Sequence, residues 1–294
     1  MLRPAALRKS DPVSIVAPAG PFDRAAFERG LTLVAARYRP VFDEGLFAKD
    51  RYLAGSDERR LAELEAALSR PDTKAVFCAR GGYGALRLLS PLRLPQAIKP
   101  LVGFSDLTAL HGALQAAGRV SVHGPVLTQL GSLGEAAARE LFDLLEDPQA
   151  RPVLKGEPLV PGEAEGPVVG GNLSVLTRLI GTPFMPPLGG AILFFEDVGE
   201  RPYRLDRMWQ HLSLCGALDK LAGIAMGTFE GCEETEGDWP AEQVLGDLAR
   251  EARLPCVVGL PVGHGQLNRP MPLGARARLD GAAGTLSFLE GAVQ

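Results

Sequence analysis

Three short segments each carry a reactive side chain where an apolar run gives way to a loop. They are Gly103-Phe104-Ser105-Asp106, Phe195-Glu196-Asp197-Val198-Gly199-Glu200 and Pro261-Val262-Gly263-His264-Gly265. A hydroxyl, a carboxylate and an imidazole are the components of covalent acyl transfer: nucleophile, orienting acid and general base. Ser105 sits between a predicted strand and a predicted helix, which would expose its hydroxyl beside helix N–H groups able to hold an oxyanion. The competing reading makes Ser105 a helix N-cap with Asp106 in the first turn. The segment is not the G-x-S-x-G elbow, because Leu107 stands at the second glycine position. Glu196 closes an apolar strand, and Asp197 and Glu200 compete with it for the acid's role. His264, between two glycines, is freed on a loop as a general base would be.

Other polar positions are weaker. Arg80-Gly81-Gly82-Tyr83-Gly84 follows an apolar run and lacks both G-x-G-x-x-G and Walker A spacing. Its glycines let backbone N–H groups approach a ligand, so Gly82 and the Asp106 N–H form a candidate oxyanion hole. His111 shares a helical face with Leu107, Leu110 and Leu114 and reads as a core residue. His211, on the Trp209 helix, reads as structural, and His123 ends a strand where it would line the site. No zinc-type spacing occurs, so neither metal nor cofactor is expected.

The elements that must position these groups alternate. Val13–Ala17, Ala75–Ala79 and Leu101–Phe104 read as buried strands, and Phe22–Tyr38, Ser56–Leu68 and Asp106–Ala117 as helices. Ser56 caps the second helix, whose apolar face is Leu61, Leu64 and Leu68. Such alternation predicts an α/β fold with a parallel sheet and ligands at the carboxyl ends of its strands. A helix over Glu135–Leu145 leads into a Pro/Gly-rich connection ending near Pro167. The second half is richer in strands, with an amphipathic helix over Pro202–Cys215 that carries Pro202 in its first turn. The expected division is 1–130 for an α/β domain with the nucleophile, 131–166 for a helix and linker, and 167–294 for a β-rich domain with Glu196 and His264.

The bulk properties exclude several classes. With 294 residues, 46% hydrophobic and 22% charged, the chain has ample material for a core. A net charge of −4 without basic tracts argues against a nucleic-acid partner. No apolar run is long enough for a membrane span, and no leader peptide is evident. The cysteines at 78, 215, 232 and 256 form no C-x-x-C pair and read as buried free thiols of a reducing, cytoplasmic compartment.

The chain resembles the LD-carboxypeptidases, the S66 serine peptidases that include the microcin C self-immunity peptidases. The resemblance covers nearly the whole chain. It rests on Val16-Ala17-Pro18-Ala19-Gly20, Leu53-Ala54-Gly55-Ser56-Asp57, Arg80-Gly81-Gly82-Tyr83-Gly84 and Gly103-Phe104-Ser105-Asp106. It continues through His123-Gly124-Pro125, Gly170-Gly171-Asn172-Leu173, Glu196-Asp197-Val198-Gly199-Glu200 and Gly263-His264-Gly265. It implies a flavodoxin-like N-terminal domain, a smaller β-rich domain resembling a swivelling barrel, and a homodimer. It also implies a Ser105–Glu196–His264 triad, and it is the resemblance that selects Glu196 over Glu200. The implied substrate is a murein tetrapeptide that loses its terminal D-Ala in peptidoglycan recycling. Arg80, Tyr83 and Asn172 are the candidate substrate-binding residues, Arg80 for the terminal carboxylate. Rival expectations are hydrolysis of a microcin-type peptidyl-adenylate and non-catalytic binding of a small ligand.

Overall fold

A computed structural model of the chain describes residues 1–234 and 239–294. The first part runs β1 (Pro12–Val16), α1 (Arg24–Ala35), β2 (Arg39–Val41), α2 (Asp57–Ser69), β3 (Val76–Cys78), β4 (Leu101–Gly103), α3 (Thr108–Ala116) and β5 (Ser121–His123). Two helices follow, α4 (Leu127–Leu133) and α5 (Glu135–Glu146). The remainder runs β6 (Val153–Lys155), β7 (Glu157–Val160), β8 (Glu163–Asn172), α6 (Leu173–Thr177), β9 (Ile192–Val198), α7 (Pro202–Leu214) and β10 (Gly223–Glu230). It closes with α8 (Ala241–Ala252), β11 (Cys256–Val258), β12 (Met271–Leu273), β13 (Arg276–Asp280) and β14 (Thr285–Phe288).

Strands β1 to β5 pair in parallel in the order 2-1-3-4-5, the expected flavodoxin-like sheet. Both faces are covered, which is why these strands are apolar throughout rather than alternating. Val13, Ile15, Phe77, Val102 and Val122 pack with α1, α4 and α5, while Val16, Val76 and Leu101 pack with α2 and α3. The side chain of Asp23 caps α1 by accepting the Ala26 N–H, and that of Ser56 caps α2 by accepting the Arg59 N–H. The buried face of α2 is Arg60, Leu64, Ala67 and Leu68; Leu61, placed on that face from spacing alone, is only half-buried.

The second sheet has eight strands in the order β6-β14-β13-β8-β9-β10-β11-β7. Its edge strands β6 and β7 are consecutive in the chain, separated by Gly156 alone, so the sheet must curl until its edges meet. Gly156 stands at that seam: its N–H donates to the Gly284 carbonyl at 2.9 Å, and a Cβ on it would lie 2.2 Å from the Val258 carbonyl oxygen. The interior is filled by Val168, Ile192, Phe194, Ala225, Val257 and Leu279. The alternate residues Val169, Leu193, Phe195, Ile224 and Met226 face outward onto α6, α7 and α8.

The two sheets are tied together more closely than the linear division implies. Strands β6 and β7 lie within the stretch expected to be a linker, yet they belong to the second sheet. Helix α5 packs on the first core through Leu141, Phe142 and Leu145, and so do Ala292 and Val293 at the far end of the chain. Strand β12 pairs antiparallel with β5 at the edge of the first sheet, while Met271 and Leu273 fill the interior of the second. An edge position tolerates Pro272, whose missing N–H hid this strand from the sequence reading. Helix α8 also escaped that reading, because its buried face is built largely of small residues, Ala241, Gly246 and Ala249, around Leu245. The serine segment expected to open one long helix begins instead with a 3-10 turn, Ser105–Leu107. Cys78, Cys232 and Cys256 are buried, but Cys215 is exposed, against expectation. No helix among the described residues is long and apolar enough to cross a membrane.

The curl of the second sheet gives a stability prediction. Gly156→Ala should lower the unfolding free energy by about 1–3 kcal/mol, since the added methyl would strike the Val258 carbonyl, a backbone group that cannot turn aside. Gly189→Ala, where a Cβ meets nothing within 4 Å, should leave it unchanged. Urea denaturation of the two variants measures the difference.

Candidate active site

Ser105 lies one residue beyond Phe104, at the carboxyl end of β4, with φ of 64°. A non-glycine residue in the left-handed region is strained, and the surrounding packing must hold it there. The 3-10 turn takes no side-chain cap, so the N-cap reading of Ser105 does not hold. Its hydroxyl instead lies 3.1 Å from His264 Nε2, and His264 Nδ1 lies 2.6 Å from Glu196 Oε2. Nδ1 carries the proton that Glu196 accepts, which leaves Nε2 free to take the Ser105 proton. The structure thus brings the three expected residues into one hydrogen-bonded line.

Strand alternation decides which carboxylate belongs to it. Glu196 shares a face with Ile192 and Phe194, toward the barrel interior; Asp197 points the other way, onto α6. There Asp197 accepts the N–H and hydroxyl of Ser174, both at 2.8 Å, and Glu200 pairs with Arg204. Asn172 is buried at the N-terminus of α6, accepts the Val175 N–H and donates to Asp197 at 3.0 Å.

Glu196 is fully buried, and burial pushes its carboxyl up against the opposing pull of His264. Burial also disfavours the His264 imidazolium, but the hydrogen bond and charge of Glu196, with the charge of Asp197, outweigh it and raise His264 above the ordinary histidine value. The loop carrying His264 is held tightly. Gly263 has φ of 126°, and a Cβ there would lie 2.7 Å from Glu196 Oε2. Its N–H donates to Asn268 at 3.0 Å, Asn268 donates to Gln129 of α4 at 2.8 Å, and Thr228 accepts the Gly265 N–H at 3.1 Å. Thr228, Asn268 and Gln129 did not stand out in the sequence, because lone amides and hydroxyls carry no pattern.

The glycine loop lies against the serine. A Cβ on Gly81 would sit 2.9 Å from Ser105 Cβ, and Gly82 follows in the left-handed region with φ of 99°. The Asp106 carboxylate is buried and accepts the Ala85 N–H at 2.7 Å; burial lifts it to about 6. Arg80 is exposed and donates to the Pro21 carbonyl, and the exposed Tyr83 ring stands 5.5 Å from that of Tyr52.

Two histidines back the serine turn. His111 is buried, as expected, but it also bonds: Nε2–H donates to the Gly103 carbonyl and Nδ1 accepts from Ser121, both at 2.8 Å. Burial lowers it to about 4, so it is neutral. His123 is buried between Phe104 and Phe194 rather than lining an open site, and burial drives its pKa well down.

Known proteins resemble this chain over most of its length. Residues 13–124 match the LD-carboxypeptidase N-terminal domain and residues 165–279 the LD-carboxypeptidase C-terminal domain. A putative carboxypeptidase of Synechocystis is 40% identical, over 98% of this chain and 97% of its own. The chain belongs to the LD-carboxypeptidase family. The murein tetrapeptide carboxypeptidase of Pseudomonas aeruginosa is 39% identical over 80% of this chain and 81% of its own. A muramoyltetrapeptide carboxypeptidase of Oxalobacter formigenes superposes with a TM-score of 0.84 at 31% identity, covering 94% of this chain and 97% of the other. This LD-carboxypeptidase is a serine-type carboxypeptidase, a hydrolase, with the two-part fold of its family.

The Glu196–His264 contact predicts a proton titration. In the wild type the His264 imidazole should titrate above 6.5. In Glu196→Gln the two strongest raising influences vanish while burial remains, so it should titrate below 6.5. NMR of the histidine ring protons against pH reads both values.

Proposed function

We propose that this LD-carboxypeptidase removes the terminal D-Ala from murein tetrapeptides by covalent catalysis at Ser105. The observation that carries the reading is the line from Glu196 through His264 to Ser105, at 2.6 and 3.1 Å, beside a glycine loop at the carboxyl edge of a parallel sheet. The names of two relatives, a murein tetrapeptide and a muramoyltetrapeptide carboxypeptidase, support the substrate class.

In this reading the Ser105 hydroxyl attacks the amide carbonyl that joins the third residue to D-Ala, and its proton passes to His264 Nε2. Glu196 holds the tautomer and stabilises the imidazolium. The tetrahedral oxyanion takes hydrogen bonds from the N–H groups of Asp106 and Gly82, each donor being worth about 3 kcal/mol. His264 then returns the proton to the leaving amine, D-Ala departs, and an ester to Ser105 remains. Water, deprotonated by His264, attacks that ester and releases the tripeptide. Arg80 and Tyr83, exposed on the glycine loop, are placed to meet the substrate as it enters. The Asn172 amide donates to Asp197 and accepts from Val175, so it supports the end of the strand that carries Glu196.

A second reading, hydrolysis of a peptidyl-adenylate, has the exposed Tyr52–Tyr83 ring pair in its favour, since paired aromatics can take a flat base. The deciding assay mixes purified protein with L-Ala-γ-D-Glu-mDAP-D-Ala and follows free D-Ala by mass spectrometry. Release by wild type should fall by about 10³- to 10⁶-fold in Ser105→Ala and in His264→Ala. Undiminished release by Ser105→Ala would overturn the nucleophile. Absence of release from a wild type that still reacts with a fluorophosphonate would overturn the substrate.

A further inference from the structure

Arg60 is the largest fully buried side chain among the described residues, with no exposed surface. It occupies a core position of α2, four residues before Leu64, where a leucine would fill the space at far lower desolvation cost. Its head group therefore has to supply something a hydrocarbon cannot. Nη1 donates to two backbone carbonyls, Pro18 in the loop after β1 and Gly84 at the end of the glycine loop, the latter at 2.9 Å. Nη2 pairs with Asp57, which Arg87 also contacts. Its Nε has no partner among the described residues, so local hydrogen bonding alone does not account for the group.

The same loop is gripped at the next residue from the opposite side. Asp106, directly after Ser105, accepts the Ala85 N–H at 2.7 Å. Gly84 and Ala85 are thus fixed through the carbonyl of one and the N–H of the other. Gly84 also has φ of 131°, and a Cβ on it would lie 2.7 Å from Arg60 Nη1, so guanidinium and loop touch directly. At its other end the loop is pinned between Ser105, against Gly81, and Gly20, whose N–H donates to the Gly81 carbonyl at 2.9 Å. Only Gly82 and Tyr83 are left exposed between these anchors.

We infer that Arg60 is a positioning residue for the hydrolysis: with Asp106 it clamps the 81–84 loop so that the Gly82 N–H stays aimed at the oxyanion formed on Ser105. The inference rests on Ser105 as nucleophile and Gly82 as oxyanion donor. Arginine suits the task because its rigid fork spans two carbonyls and a carboxylate at once; an ammonium reaches fewer of them. A displacement of the donor by an ångström is enough to cost about 100-fold in rate.

Arg60→Met and Arg60→Lys test it. Turnover of the tetrapeptide is referred to the number of sites that a fluorophosphonate labels at completion, which removes any unfolded fraction from the comparison. Arg60→Met should lose about 10- to 100-fold in kcat with KM within about threefold. The rate of phosphonylation should fall in parallel, since the phosphonyl oxygen occupies the same hole, while inhibition by the tripeptide product is unchanged. Arg60→Lys should recover part of the loss. Should Arg60→Met fail to fold, Arg60→Lys carries the test, with a kcat loss of at least about fivefold expected. Labelled Arg60 variants with wild-type kcat and phosphonylation rate would overturn the clamp. Full turnover by Ser105→Ala, measured alongside, would instead overturn the nucleophile on which it rests.

Discussion

Everything around the site follows from keeping three side chains from two sheets in hydrogen-bonding contact, one of them on a strained backbone. Ser105 leaves β4 in the left-handed region, Glu196 closes β9, and His264 sits on a loop between β11 and β12. The 2.6 and 3.1 Å contacts survive only if the sheets cannot slide against each other. The chain secures this at the places where its two halves meet. Helix α3, which starts directly behind Ser105, accepts the Asn172 N–H through Thr108 at 2.8 Å, and Asn172 lies in register with Glu196 on the neighbouring strand. Gly171 lets the backbones approach, because any side chain there would strike Thr108. The histidine loop runs from a strand of one sheet to a strand of the other, and Arg269 pairs with Glu140 of α5 just beyond it. An imidazole carried on such a bridge takes its position from both halves.

The electrostatics divide along the same alternation. Adjacent carboxylates on β9 face opposite layers: Glu196 meets the imidazole, while Asp197 is saturated by Ser174, Asn172 and the Val198 N–H. Two adjacent buried charges would be costly if both competed for one histidine. The pleat separates them, so one serves the imidazole and the other ties α6 to the end of its strand. Behind the serine, neutral His111 holds the Gly103 carbonyl and His123 fills apolar space, so no second cation competes with His264 for Glu196.

The sequence carried a good deal of this. Apolar runs ending in Pro, Gly or a polar residue located most strands of both sheets, since a strand buried on both faces is apolar along its length. Ser105, Glu196 and His264 were legible because each breaks such a run, and their order matches a known family. Arg60 left a faint trace, a charge in step with Leu64 and Ala67 on the buried face of α2. What could not be read was any pairing between distant segments. Strand β12 is short and holds a proline, β6 and β7 resemble a loop, and the amides of Gln129 and Asn268 acquire meaning only once they meet.

Composition and local pattern by themselves determined the α/β class, the two-part organisation and the three segments that carry the hydroxyl, the carboxylates and the imidazole. These depend on short-range periodicity and on residue type, both of which a linear chain displays. The tertiary structure alone decided that Asp197 turns away onto α6, that the second sheet closes on itself through Gly156, and that the chain's end returns to the first core. Those outcomes turn on strand register, where a shift of one residue would turn every side chain to the opposite face, and on contacts between segments far apart in the chain.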